Sequence, residues 1–257
     1  MLTPGNAQLG TGLIWGFGLP SGTASVCVGM SRLCKSVCYA VRTEQYRPSA
    51  RKRYQRNLEL SRRKGFARRV RAFLIAHHIR VVRIHTGGEF YGAKYIRKWR
   101  AIIQRSPRVK FFTYTRAWRI SEFRTELEWL AELPNLQLWY SADRETGLPD
   151  SVPAQVRIAW LMAGEDDLPP ADGRIDLIFR VRQLRSVPLA EWNDVPICPA
   201  ESGRPGPKST CDRCRLCWKS PTKAVSESRL LSLPLIVRKE SDDSCSDNTA
   251  IRAAVPS

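Results

Sequence analysis

Eight cysteines, seven of them in two tight groups, constrain this 257-residue chain more than any other feature. The first group reads Cys27-x6-Cys34-x3-Cys38 and the second Cys198-x12-Cys211-x2-Cys214-x2-Cys217, with Cys245 apart in a polar tail. How such groups are read depends on the redox compartment. No apolar run reaches the ~18 residues that would mark a membrane span, and the N-terminus MLTPGNAQLGTGLIWGFG lacks a basic segment followed by an apolar one. The expectation is a cytoplasmic protein with no membrane partner. In a reducing cytosol, clustered cysteines read as metal ligands or catalytic groups rather than as disulfides.

The division into three and four carries chemical information. Three thiolates within twelve residues (Cys27, Cys34 and Cys38) can bind three irons of a [4Fe–4S] cube and leave the fourth iron open. Four thiolates (Cys198, Cys211, Cys214 and Cys217), with two successive two-residue gaps, resemble ferredoxin-type ligation of a second, closed cluster. Zinc stays open as the alternative at this second site, although four-cysteine zinc sites more often use two separated Cys-x2-Cys pairs. Two closed sites would want eight ligands, so seven favours one site for chemistry and one for structure or electron transfer. Of the three histidines, His77 and His78 read as part of a helix, and His85 reads as a ligand or a hydrogen-bonding group near the site.

Apolar runs rich in β-branched and aromatic residues alternate with helical patterns. Strands are predicted at 13–17, 81–86, 109–115, 136–142, 156–162 and 175–181, and helices at 48–79 with a break near Gly65, at 91–104, and at 121–132 with Ser121 as N-cap. Such alternation implies parallel βαβ units, as an open sheet or a barrel. The predicted fold is α/β: a partial (β/α)6-type TIM-like barrel over residues 1–190, a cysteine-rich metal-binding extension over 191–225, and a mobile tail over 226–257. In parallel α/β architectures ligands sit on loops after the carboxyl ends of strands. The polar clusters fall at those places, among them the three-cysteine loop, Thr86 to Glu89, Thr115 and Arg116, and Ser141 to Arg144. Trp99 and Trp129 read as core residues, whereas Arg116 and Trp118 could face a substrate.

A net charge of +18 favours a polyanionic partner. Eleven lysines and arginines fall within residues 47–71, a pattern that fits a phosphate-gripping surface and equally a solvated helix face. The expected partner is a nucleic acid or nucleotide.

Directly after the second predicted strand comes Thr86-Gly87-Gly88-Glu89. Paired with the upstream three-cysteine loop, this segment resembles the radical S-adenosylmethionine enzyme superfamily over residues 13–181. The motif Cys27-x6-Cys34-x3-Cys38-Tyr39-Ala40 is more narrowly similar to phage- and plasmid-borne proteins of unassigned function. Its gaps are longer than that superfamily's usual Cys-x3-Cys-x2-Cys, and Tyr39 follows the third cysteine where the superfamily places an aromatic before it. The resemblance implies that Cys27, Cys34 and Cys38 hold the cluster and that its open iron takes S-adenosylmethionine. It also implies that Gly87, Gly88 and Glu89 bind the methionine amino group, with Ser141 and Asp143 as candidates for the ribose or carboxylate. Tyr39 is a cofactor-binding candidate or a core residue at the start of a helix. Reductive cleavage would give a 5′-deoxyadenosyl radical and require an electron donor. The alternative is a non-enzymatic nucleic-acid-binding protein stabilised by zinc or a cluster.

Overall fold

A computed structural model describes residues 1–10, 12–203 and 210–219. The expected tail of 226–257, with Cys245, lies outside the described residues. The elements run β1 (Thr3–Pro4), β2 (Ile14–Phe17), α1 (Arg32–Ser36), α2 (Tyr39–Tyr46), α3 (Pro48–Arg62), α4 (Phe66–Ala76), β3 (Val81–Ile84), α5 (Ala93–Gln104) and β4 (Lys110–Thr115). They continue with α6 (Arg124–Ala131), β5 (Leu136–Ala142), β6 (Arg157–Met162), β7 (Leu177–Arg180), β8 (Glu191–Trp192), β9 (Val195–Pro196) and α7 (Cys211–Cys214).

Seven strands form one mixed α/β sheet in sequential order from β1 to β7. Strands β2 to β7 pair in parallel, and only β1 runs antiparallel, against β2. No pairing closes β7 back onto the first strands, so the sheet is open and the barrel does not close. The six parallel strands fall on the six apolar runs of the sequence.

Alternation along each strand sends side chains to two different layers. On one face Phe17, Val82, Ile84, Phe111, Leu138 and Tyr140 pack against the helices, around a fully buried Trp99 on α5. Towards the other face, Phe112, Tyr114, Trp139 and Leu177 meet the cysteine-bearing residues of 198–203 and 210–218. Those residues therefore cover the sheet face that the helices leave bare.

The basic stretch breaks as expected into α3 and α4 at Gly65, which takes a positive φ of 81°, and Lys98 Nζ accommodates the break by donating to the carbonyls of Ser61, Arg62 and Arg63. Two other helical expectations need correction. Ser121 does not cap α6; it opens a short 3-10 turn, and its hydroxyl donates to Glu122. Trp129 is 40% exposed, with Arg100 stacked 5.1 Å from its ring centre, so it is not a core residue.

Candidate functional site

The three-cysteine loop follows β2 and folds over the carboxyl ends of β3, β4 and β5. Cys27 closes a turn, its amide donating to the Thr23 carbonyl and its sulfur accepting from the Gly22 amide at 3.3 Å. Ser31 caps α1 by accepting from the Cys34 amide at 2.8 Å, and Cys38 stands at the N-terminus of α2. The Cys27 thiol lies within electrostatic reach of Cys34, Cys38 and Glu89. Burial pushes the Cys27 thiol up to about 12 and raises Cys34, the latter held down in part by Arg116.

Behind the loop lies a buried polar layer made from the strand ends. Asp143, fully buried after β5, accepts from Ser31 Oγ at 2.6 Å, pairs with Arg116 at 2.9 Å, and accepts from the Glu145 and Thr146 amides. Glu145 in turn accepts from the Leu33 amide at 3.1 Å. The turn after β5 thus holds the segment carrying Cys34. Gly29 lets the loop close onto β4: its φ is +75°, and a Cβ there would stand 2.2 Å from the Arg116 carbonyl oxygen. Arg119 adds a bond to the Gly29 carbonyl.

Glu89 sits in the same layer. Its carboxylate accepts from the Phe90 amide and the Thr115 hydroxyl on one oxygen and from the Arg116 amide on the other. Burial raises its pKa to about 7 against these three bonds, which hold it down. Gly87 and Gly88 pack against the chain itself: the Leu19 amide donates to Gly87, and the Gly88 amide donates to Ser21. With φ at +75° and Leu19 Cβ 2.5 Å from where its own Cβ would be, position 88 accepts only glycine. The close approach expected for a ligand is made here by the segment after β2. The Ser141 carbonyl accepts from the Trp118 indole at 2.9 Å. His85 is buried among Phe17, Phe90, Tyr95 and Trp99 and shares a 2.9 Å hydrogen bond with the Tyr95 hydroxyl, which makes it a packing residue of the helix layer.

Tyr39 is 56% exposed, which corrects the core reading. Its hydroxyl donates to the Thr86 carbonyl at 2.7 Å and accepts from Arg83 at 3.2 Å. Arg83 on β3 lies 5.9 Å from both the Tyr39 and the Tyr114 ring centres. Its positive charge also reaches Cys211 and Cys217, pulling against the burial that raises both thiols. Arg83 thus joins the two cysteine groups, which the sequence separates by 159 residues between Cys38 and Cys198. Sequence reasoning missed it because a lone arginine inside an apolar strand reads as an edge or surface residue.

The second group lines one pocket together with Leu177, Pro199 and Leu216. The Cys198 amide donates to Ile178 at the edge strand, the Cys211 amide to Gln8, and the Trp139 indole to the Cys217 carbonyl at 3.0 Å. Arg215, at φ 60°, reverses the chain between Cys214 and Cys217. Next to Cys217, the Trp218 ring centre lies 5.2 Å from that of Phe112 on the sheet. Burial pushes Cys217 up to about 12 and raises Cys198 well above the ordinary thiol range.

All seven described cysteines are free thiols. Among the described residues, no three His, Cys, Asp or Glu side chains stand close enough to hold one metal ion. The expected metal-binding extension is corrected to that extent: its cysteines share a pocket without closing on a single point. Ligands of one tetrahedral zinc at about 2.3 Å from the metal lie about 3.8 Å apart, whereas each thiolate of a cubane binds a different iron and stands further from the others. Thiols are the donor type that both zinc and iron–sulfur clusters take. Buried thiols this high in pKa stay protonated until a metal displaces the proton.

The sequence model of the family described as "Gene product 88" matches residues 1–220. The chain belongs to the Gene product 88 family. This match overturns the assignment to the radical S-adenosylmethionine superfamily, since the family found across both cysteine groups is a phage-protein family. The Gene 88 protein of Mycobacterium phage L5 is 29% identical over 159 residues, covering 58% of this chain and 62% of that protein. The chain therefore spans less than two thirds of the phage L5 relative. The Gene 88 protein of Mycobacterium phage D29 is 26% identical over 230 residues, covering 83% of this chain and 85% of its own length. No solved structure matches. No helix among the described residues is long and apolar enough to cross a membrane.

Proposed function

We propose that this protein is an iron–sulfur enzyme with an open cluster at Cys27, Cys34 and Cys38 and a closed one at Cys198, Cys211, Cys214 and Cys217. The observation that carries the reading is the convergence of three half-buried thiols with Glu89, Arg116 and Asp143 above the carboxyl ends of consecutive parallel strands. The sequential strand order supports reading the sheet as an incomplete six-stranded barrel, with the second cysteine group seated on its non-helical face. The reading rests on these residues and not on superfamily membership.

The proposed reaction is reductive cleavage of S-adenosylmethionine, bound through the open iron, to start radical chemistry on an anionic substrate. The chain's own residues supply placement and exclusion of water. Ser31, Asp143 and Glu145 fix the loop that carries Cys34, and Arg116 offers a cation beside it. Tyr39, exposed beside Cys38, is the group best placed to touch a bound cofactor. Arg83 offsets negative thiolate charge at the second group. An external electron donor would supply the reducing equivalent, and the cytoplasm is the proposed compartment.

The test is iron, sulfide and zinc content of anaerobically purified protein, followed by incubation with dithionite and S-adenosylmethionine. About eight irons, with about four lost in Cys34→Ala and about four in Cys214→Ala, together with release of 5′-deoxyadenosine, is the expected result. Zinc without iron, and no cleavage, would replace this reading with a non-enzymatic zinc-stabilised nucleic-acid-binding protein.

A further inference from the structure

Away from the cysteine groups, helices α3 and α4 border an open groove of about 1030 Å³. Lys52, Arg53, Arg56, Arg63 and Arg69 line it, against a single carboxylate, Glu59. Among the described residues none of these five forms an ion pair, although arginines elsewhere in the fold do so five times. Four of the five are exposed, and Arg53 is half-buried over the Tyr54 ring. A solvated helix face spreads its charge outwards; here two helices turn theirs towards one shared concavity. Five cations facing each other repel, and a line of phosphates would relieve that repulsion.

The floor is apolar. Leu60, Ala72, Phe73 and Ala76 line it, and the Phe73 ring centre lies 4.1 Å from that of His77, tilted by 34°; the His77 ring in turn lies 5.4 Å from that of Trp15. A basic groove with an aromatic group on its floor is the arrangement that holds single-stranded nucleic acid, phosphates to the cations and bases to the rings. Groove and cysteine loop are linked through α3. Tyr54 Oη lies 3.4 Å from Thr86, and Asn57, which also lines the groove, places its Nδ2 2.9 Å from the Gly18 carbonyl.

We infer that the α3–α4 groove is a binding site for single-stranded nucleic acid. The inference needs no metal and holds whether the cysteines carry clusters or zinc.

The experiment is fluorescence anisotropy with a labelled oligothymidylate over a range of salt, using full-length protein whose metal content has been measured. Arg56→Gln, Arg63→Gln and Arg69→Gln are combined in one variant. A control carries the same charge change at the exposed Lys94, Arg108 and Arg124, outside the groove. Losing three phosphate contacts should flatten the log affinity–log salt slope by about 2 and weaken binding about 100-fold near 0.1 M salt. The control should change far less, and thermal melts of both variants should match the parent because the replaced side chains are exposed. Equal losses in the two variants, or no binding by the parent at low salt, would overturn the site. A groove variant that loses binding to anionic vesicles but keeps it to the oligonucleotide would overturn the choice of ligand.

Discussion

Asp143→Ala tests whether the turn after β5 organises the three-cysteine loop. Asp143 is fully buried and Arg116, its partner at 2.9 Å, is 6% exposed. Removing the carboxylate leaves a buried guanidinium unpaired, a loss of about 3–5 kcal/mol. It also strips the partner from Ser31 Oγ and from the Glu145 and Thr146 amides. Such a cost is a large share of the ~5–15 kcal/mol that holds a typical domain together. Urea unfolding followed by tryptophan fluorescence should show the midpoint falling with the slope unchanged. Combining Asp143→Ala with Arg116→Met removes the orphaned charge and should recover about 2 kcal/mol. In metal-free protein, Cys34 should alkylate faster in Asp143→Ala, because α1 loses the anchor of its cap. A loss below about 1 kcal/mol, with Cys34 reactivity unchanged, would refute the clamp.

Three further outcomes follow from the same geometry. Burial lowers the His85 pKa to about 3, so the folded protein keeps its imidazole neutral while the unfolded chain takes up a proton below about 6.5. Stability from this residue is therefore full above pH 6.5 and declines on acidification, by about 2 kcal/mol at pH 5; His85→Gln should remove that part of the pH dependence of the urea midpoint, and an unchanged slope would show the imidazole is not held neutral. If the proposed second cluster is present, Arg83→Gln, which removes the cation between the two cysteine groups, should lower its reduction potential in a potentiometric titration followed by EPR, and an unmoved potential would sink the coupling. Gly88→Ala should destabilise by about 1–3 kcal/mol in thermal or urea unfolding, because φ is +75° and the new Cβ would collide with Leu19; wild-type stability would show that the turn after β3 can shift.

The six parallel strands were legible because each is a short apolar run buried on both faces, and that pattern needs no tertiary information. Helices α1 and α2 were not legible: the short α1 gains a side-chain cap from Ser31, which is itself held by Asp143 across 112 residues. Asp143 was visible as a polar residue after a strand, but its role was not, since its partners come from two distant segments. The two cysteine groups were evident from spacing. Their relation to the sheet was not.

What the sequence alone determined is the local chemistry: which residues can be strands, which thiols can act as ligands, and where positive charge accumulates. The tertiary structure decided what those pieces do to one another. It left the sheet open, set the second cysteine group on the face without helices, placed Arg83 between the two groups, and turned a basic stretch into a groove. The physical reason is that propensity and spacing act within a few residues, whereas burial and charge pairing depend on which distant segments the packed sheet brings together.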